Sequence, residues 1–328
     1  MTACITGATG FIGSHLVDAL LAEGTHVRAL VRRTSNLRWL QGKSVELVEG
    51  DIRDPISLRR FVDGADEVYH AAGLVKARSR DEYFEANVRS TGHLLNAVRS
   101  AAPSLRRFLF LSSQTAAGPA DSPDHPVTED MPCRPITAYG ASKRAAEEWI
   151  RSSADGIPWT IVRPPAVFGP RDTEILIYFR TLAAGLNTVI GFREQRLNLI
   201  YVADLVEGIL RAARSDRAVA QTYFIASERN YSWREVGEAA VAILGKRSIV
   251  VSVPHAFVHV AAFFAQTAAS LQGKAATLNI EKARDLTRRY WLCDAAKARK
   301  ELSFRERYSL EDALRETIAW YRSVGWIR

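Results

Sequence analysis

The chain is 328 residues long, 47% hydrophobic and 24% charged, with a formal net charge of +8. That length suits one large core with a smaller appended part, and the composition is ordinary for a soluble globular protein. The positive charge does not read as a nucleic-acid footprint. Its local concentrations, Lys282–Arg289 and Lys297–Arg307, include acidic or apolar residues at helical spacing, so they read as solvated helix faces, and no recognised nucleic-acid module accompanies them.

In chain order, strand-like apolar runs occur at Ala3–Thr6, Val27–Val31, Val45–Glu49, Glu67–His70, Phe108–Ser112 and Thr160–Arg163. Helical patterns lie between them at Phe11–Glu23, Ile56–Val62, Tyr83–Ala101 and Ala138–Ser153. Strand–helix alternation at this spacing predicts an α/β fold, a doubly wound parallel sheet of the Rossmann type. After Pro170 the rhythm breaks. Helices are expected at Ile175–Leu186, Val202–Arg214, Ser232–Leu244 and Leu310–Val324, with short strands near Thr188–Ile190, Thr222–Ala226 and Ser248–Val253. The expected organisation is a dinucleotide-binding domain over 1–170 and a smaller, mainly helical substrate-binding region over 171–328, interleaved with the first. The apolar stretch His255–Leu271 is too short to span a bilayer. It reads as a buried or substrate-lining helix, with shallow membrane contact as the alternative.

Ala3–Thr6 begins almost at Met1, which leaves no recognisable secretion signal ahead of it. Cys4, Cys133 and Cys293 lie far apart with no CxxC or zinc-ligand spacing, as expected of reduced thiols in a cytoplasmic protein. No metal site is expected.

Thr6-Gly7-Ala8-Thr9-Gly10-Phe11-Ile12-Gly13 follows the first strand and opens a helix. Gly7 suits the tight turn, Gly10 a close approach to a pyrophosphate, and Gly13 close packing of helix on strand. Helix-terminal N–H groups would then meet the phosphate charge, with Thr9, Phe11 and Ile12 in the same turn. The second strand ends at Arg32-Arg33, where an NAD-binding protein usually carries an acid. Two guanidinium groups suit a 2′-phosphate, so NADP(H) is favoured and NAD(H) is the alternative. Asp51-Ile52 would flank the adenine, and Ala71-Ala72-Gly73 would pass beneath the cofactor with little bulk.

Tyr139 and Lys143 stand four apart on an expected helix, hence on one face. An ammonium beside a phenol favours the phenolate, which brings proton exchange with a carbonyl or alcohol oxygen within reach at neutral pH. Ser112-Ser113, at the end of the preceding strand, offers a further hydrogen bond to that oxygen.

These motifs, with His70-Ala71-Ala72-Gly73 and Arg163-Pro164-Pro165-Ala166-Val167-Phe168-Gly169-Pro170, resemble the extended branch of the short-chain dehydrogenase/reductase superfamily. The resemblance runs from Thr2 to about Asp204. It implies a catalytic triad of Ser113, Tyr139 and Lys143, with Ser113 rather than Ser112 chosen by its distance from the tyrosine and by counting back from Gly118. It also implies that Lys143 holds the nicotinamide ribose, that Pro164–Val167 runs along the nicotinamide, and that the chain forms a homodimer through the Tyr83–Ala101 and Ala138–Ser153 helices. Asn87 matches a recurrent asparagine of the superfamily, with a helix-stabilising or a catalytic role.

Within that branch, sugar dehydratases carry an acid pair where this chain has Gln114-Thr115. Many nucleotide-sugar enzymes carry an asparagine where it has Ala166, and an arginine where it has Leu197, although Arg196 is adjacent. Conversely, Val27–Arg32 resembles the second strand of dihydroflavonol-type reductases, which places Arg32 at the NADP phosphate. The expectation is therefore an NADP(H)-dependent oxidoreductase for a ketone/secondary-alcohol pair on a small, fairly hydrophobic substrate. Val75, Gln114, Phe168 and Phe179 are its candidate wall residues. The alternatives are a nucleotide-sugar epimerase and a non-catalytic NADP sensor.

Overall fold

A computed structural model describes residues 1–273 and 275–327. The first six strands are β1 (Thr2–Thr6), β2 (His26–Val31), β3 (Val45–Glu49), β4 (Glu67–His70), β5 (Arg107–Leu111) and β6 (Trp159–Arg163). The helices among and after them are α1 (Phe11–Ala22), α2 (Pro55–Val62), α3 (Arg80–Phe84), α4 (Ser90–Ala101), α5 (Gln114–Ala117) and α6 (Ala138–Ser153), with a π-helical turn at Glu85–Arg89. The later strands are β7 (Ala166–Phe168), β8 (Leu186–Ile190), β9 (Arg196–Tyr201), β10 (Gln221–Phe224), β11 (Asn230–Ser232), β12 (Ile249–Val253) and β13 (Tyr290–Trp291). The later helices are α7 (Leu176–Ala183), α8 (Val202–Arg214), α9 (Trp233–Leu244), α10 (His255–Leu271), α11 (Ile280–Leu286), α12 (Ala296–Leu302) and α13 (Leu310–Ser323).

The central sheet has seven strands in the order β10-β6-β5-β4-β1-β2-β3, every neighbouring pair parallel. Its strands alternate between two cores because successive side chains leave opposite faces. Ile5, Tyr69 and Leu109 join the core beneath α1, α8 and α13. Cys4, Val68, Phe108 and Phe110 join the core beneath α2, α4 and α6. The strand order reverses at β1, which pairs with β2 on one side and β4 on the other. A crevice opens there at the carboxyl ends of the strands.

The second half contributes β10 to the edge of this sheet beside β6, and α8 to the core on one face. It also forms a smaller sheet that the apolar pattern did not announce, in which β9 pairs with β7, β11 and β13. The expectation for His255–Leu271 is corrected in part. The segment is a single helix, but it is neither core nor cavity wall. Only Val258 and Ala262 are buried, and its phenylalanines face outward. Among the described residues, no helix is long and apolar enough to cross a membrane, and no cluster of potential metal ligands occurs.

Candidate active site

The crevice is a groove of about 530 Å³ whose walls come from the loops after β1, β2, β3 and β4. Thr6, Gly7, Thr9, Gly10, Arg32, Asp51, Ile52, Ala71, Ala72 and Gly73 all line it. Gly7 has a φ of +77°, and a Cβ there would stand 2.7 Å from the Ala71 backbone. The turn therefore needs glycine for both its conformation and its approach to the loop after β4. Gly13 sits behind this turn, where a Cβ would collide with the Gly7 carbonyl. The close approach of helix to strand expected of Gly13 is thus a packing role. These bare backbones form a cradle that side chains would fill, which fits a dinucleotide. Arg53 is committed to Asp51 by paired hydrogen bonds of 2.8 and 2.9 Å, and holds that carboxyl down at about 2. Arg32 lines the groove with Ser35, whose hydroxyl accepts the Arg32 backbone N–H. Arg33 is exposed and is not among the residues that line the groove.

Beneath the groove a buried relay ties the loops together. The Thr91 hydroxyl donates to the Asn87 carbonyl at 2.7 Å, so it accepts from Nε2 of His70 at 2.9 Å. Nδ1 of His70 is then left to accept from the Thr6 hydroxyl at 2.7 Å. Burial holds this imidazole neutral, with its pKa pushed down to about 3. The Asn87 side chain accepts from the Leu74 N–H at 2.7 Å and donates to Ser142 at 2.9 Å. Of the two roles open to it, the geometry shows the structural one: it pins the loop after β4 to α6.

The second cavity, about 390 Å³, is walled by Phe11 and Ile12 on one side and by Val75, Ser113, Gln114, Tyr139, Pro165, Ala166 and Val167 on others. Its remaining walls come from the C-terminal half, including Ile175, Leu197, Trp233, Asp285, Leu286 and Trp291. Thr137 caps α6 by accepting the Gly140 N–H. A Cβ on Gly140 would stand 2.3 Å from the Thr115 carbonyl. That absent side chain lets α6 lie against α5, so Ser113 and Tyr139 meet. Thr115 donates both its backbone N–H (3.2 Å) and its hydroxyl (2.9 Å) to Ser113 Oγ. Ser113 and Tyr139 line the same cavity, and a hydrogen bond from the Ser113 hydroxyl to the phenol would favour the phenolate against the burial that disfavours it. Ser112 faces the other way and donates to buried Glu147 at 2.5 Å.

The ammonium of Lys143 donates to the Leu111 carbonyl at 2.7 Å and lies over the Phe110 ring. Burial pulls it down to about 8. The expected pull of Lys143 on the phenol is not what this arrangement shows. Burial pushes Tyr139 above its ordinary value, opposed by the Ser113 hydrogen bond. The ammonium is instead turned toward Gly73, where an added Cβ would stand 3.2 Å from Nζ.

Three other expectations are corrected. Phe168 is buried against Tyr201. Phe179 is fully buried against Tyr321. Pro164 lies behind the wall, its carbonyl accepting the Gln114 N–H, and Pro165 takes the lining position. For Phe168 and Phe179 the alternation of strand or helix turns the side chain into the core. Conversely, Trp233, Asp285 and Trp291 reach the cavity from a part of the chain whose pattern carries no motif. Asp285 Oδ1 and Gln114 Nε2 are buried and have no hydrogen-bond partner among the described residues.

The model of the NAD dependent epimerase/dehydratase family matches residues 3–226. A ceramide reductase of Caulobacter vibrioides is 30% identical over 98% of this chain and 95% of its own length. A ketoreductase of Stigmatella aurantiaca, named for a farnesylated dihydroquinoline oxide, is 28% identical over 87% of this chain and 90% of its own. Among solved structures, the UDP-glucose 4-epimerase of Thermotoga maritima shares the fold at a TM-score of 0.82 and 22% identity, covering 99% of both chains. The chain belongs to the NAD dependent epimerase/dehydratase family and is an NAD(P)-dependent enzyme.

Proposed function

We propose that the protein is an NADP(H)-dependent reductase that interconverts a ketone and a secondary alcohol on a fairly hydrophobic substrate. The observation that carries this reading is the placement of Ser113 and Tyr139 in one cavity whose walls also include Val75, Val167, Ile175, Leu197, Trp233 and Trp291, alongside the charged Arg196, Lys282, Asp285 and Arg288. Gly7, Thr9 and Gly10 cradle the pyrophosphate, Asp51 and Ile52 flank the adenine, and Arg32 takes the 2′-phosphate. Gly73 leaves the nicotinamide ribose room beside Lys143, and Val167 borders the nicotinamide. When bound, the nicotinamide supplies or accepts the hydride.

The chain's own residues handle the proton and the orientation. Ser113 donates a hydrogen bond to the carbonyl oxygen, and Tyr139 delivers its proton to the same oxygen as the carbonyl becomes an alcohol. Lys143 stands on the same helix face to hold the ribose and restore that proton. Deeper in the cavity, unpartnered Gln114 Nε2 offers a donor and Asp285 Oδ1 an acceptor. A buried polar atom left unpaired costs about 1–3 kcal/mol, so a substrate hydroxyl or amide that pairs both is selected over a plain hydrocarbon ketone.

The test is a binding titration with NADPH and NADH, followed by turnover of hydroxy- or amido-ketones and of UDP-sugars. Tight NADPH binding and ketone-stimulated oxidation are expected. Tyr139→Phe should keep NADPH binding and lose about 10²–10⁴-fold in turnover. Tight NAD binding with a response to UDP-sugars, and none to ketones, would transfer the protein to the epimerases.

A further inference from the structure

We propose that the outward face of α10, with the adjoining β12, docks on an anionic lipid surface. A helix on a protein exterior normally turns its polar residues to water and its apolar stripe to the core. Here the outward face is largely apolar as well. The seventeen residues of α10 include no Asp, Glu, Lys or Arg. Phe257, Val260, Phe263, Phe264 and Leu271 are exposed by 65, 53, 55, 66 and 86%. At helical spacing these five form one face, opposite Val258 and Ala262, the two residues through which the helix is anchored on Ala283 of α11 and on Ile190, Val253 and Leu278. The apolar surface continues past the helix. Ile249 and Val251 of β12 are exposed, and so is Phe192, whose neighbour Gly191 abuts His255. A contiguous patch of this kind on a water-facing exterior marks a contact surface.

Charge decides what covers it. Between Gly245 and Arg289 the chain carries seven basic residues and two acidic ones, and none of the nine lies within α10. Lys246 and Arg247 before the apolar run and Arg284 and Arg289 after it are exposed, whereas Lys282 and Arg288 contribute to the cavity wall. A second copy seated face to face on this patch would bring two basic rims together. An anionic bilayer meets both features at once, the side chains entering the acyl boundary and the rim resting among headgroup phosphates. The helix is too short to span, so it lies in the interface plane. Because α11 packs on α10 and also supplies Lys282, Asp285 and Leu286 to the cavity wall, docking sets that wall at the lipid surface.

The experiment is flotation of the full chain with phosphatidylcholine vesicles, with and without phosphatidylglycerol, beside sedimentation equilibrium without lipid. The wild type is expected to float with the anionic vesicles, to be released by salt, and to float poorly with phosphatidylcholine alone. The F257D/F264D variant alters two exposed side chains. It should lose at least about tenfold in vesicle binding while its NADPH binding and its turnover of a water-soluble ketone stay at the wild-type level. Absence of flotation by the wild type, or equal flotation by the variant, overturns the proposal. So does a self-association that the same variant abolishes, which would assign the face to a second copy. Vesicle binding is read without catalysis, so a failure of the reductase reading leaves this result standing.

Discussion

Arg32 stands in the groove without an ion-pair partner among the described residues, whereas Arg53 nearby is held by Asp51. A guanidinium free to form charge-assisted hydrogen bonds with a phosphate contributes about 1.5–3 kcal/mol. Arg32→Ala should therefore weaken NADPH binding by roughly 10- to 150-fold, by that same energy, and leave NADH binding nearly unchanged. Equal losses, read by calorimetric titration, would remove the arginine from the phosphate. Asp285 is the opposite case, a carboxyl that burial raises to about 6 from an ordinary value of 3.8. Because its folded-state pKa is raised, the contribution to stability is complete below pH 4 and is lost as pH rises through 6. Asp285→Asn should accordingly stabilise the protein above pH 6, by at most about 2 kcal/mol after allowance for partial exposure, and have little effect below pH 4. Denaturant midpoints across that range check the sign. In the same variant, a rise in KM for hydroxy-ketones with little change in kcat is expected if the acceptor binds substrate.

At the scale of elements, α6 is fixed to β6 by a buried ion pair. Arg163 donates to Glu147 through Nε at 2.9 Å and Nη2 at 2.6 Å, and Ser112 and Arg151 add further hydrogen bonds to the same carboxylate. The Glu147 carboxyl is held below its ordinary value by Arg163 despite full burial. Glu147→Ala would strand the guanidinium in the interior and should cost about 3–5 kcal/mol in denaturant unfolding. The exposed Arg144–Glu148 pair on the same helix is a control: Glu148→Ala should cost no more than about 0.5 kcal/mol. A small loss in the Glu147 variant would mean that the carboxylate is replaceable and that packing alone sets the helix against the strand. The placement of α6 matters because the same helix carries Tyr139 and Lys143. Its approach to α5 depends on Gly140, a residue whose presence in the sequence between Tyr139 and Ala141 does not itself disclose that contact.

For the whole molecule, the first half was legible in advance because every element there obeys a short-range rule. The inner strands β1, β4, β5 and β6 are buried on both faces, α2 and α6 are capped and amphipathic, and the glycine turn needs only its immediate neighbours to be recognised. The expected strand and helix ranges up to Arg163 differ from those observed mostly at their ends. The exception is Tyr83–Ala101, where α3, the π-helical turn and α4 follow one another and the turn carries Asn87. In the second half, β9 and its partners lie far apart in sequence. Residues 196–201 pair with 166–168, 230–232 and 290–291, a set that no local periodicity reveals.

The sequence by itself determined the parallel sheet, the glycine cradle, the tyrosine–lysine pair and the family, since each rests on residue types within a few positions of one another. The resemblance already chose Ser113 over Ser112, and the tertiary structure supplied the physical reason: Ser112 is turned to Glu147 behind the strand, while Ser113 lines the cavity with Tyr139. It also withdrew Pro164, Phe168 and Phe179 from the cavity wall and brought Trp233, Asp285 and Trp291 into it. The same apolar pattern in His255–Leu271 fits a core helix or an exposed one. Burial is a property of what packs against a segment, and that lies outside the segment's own sequence.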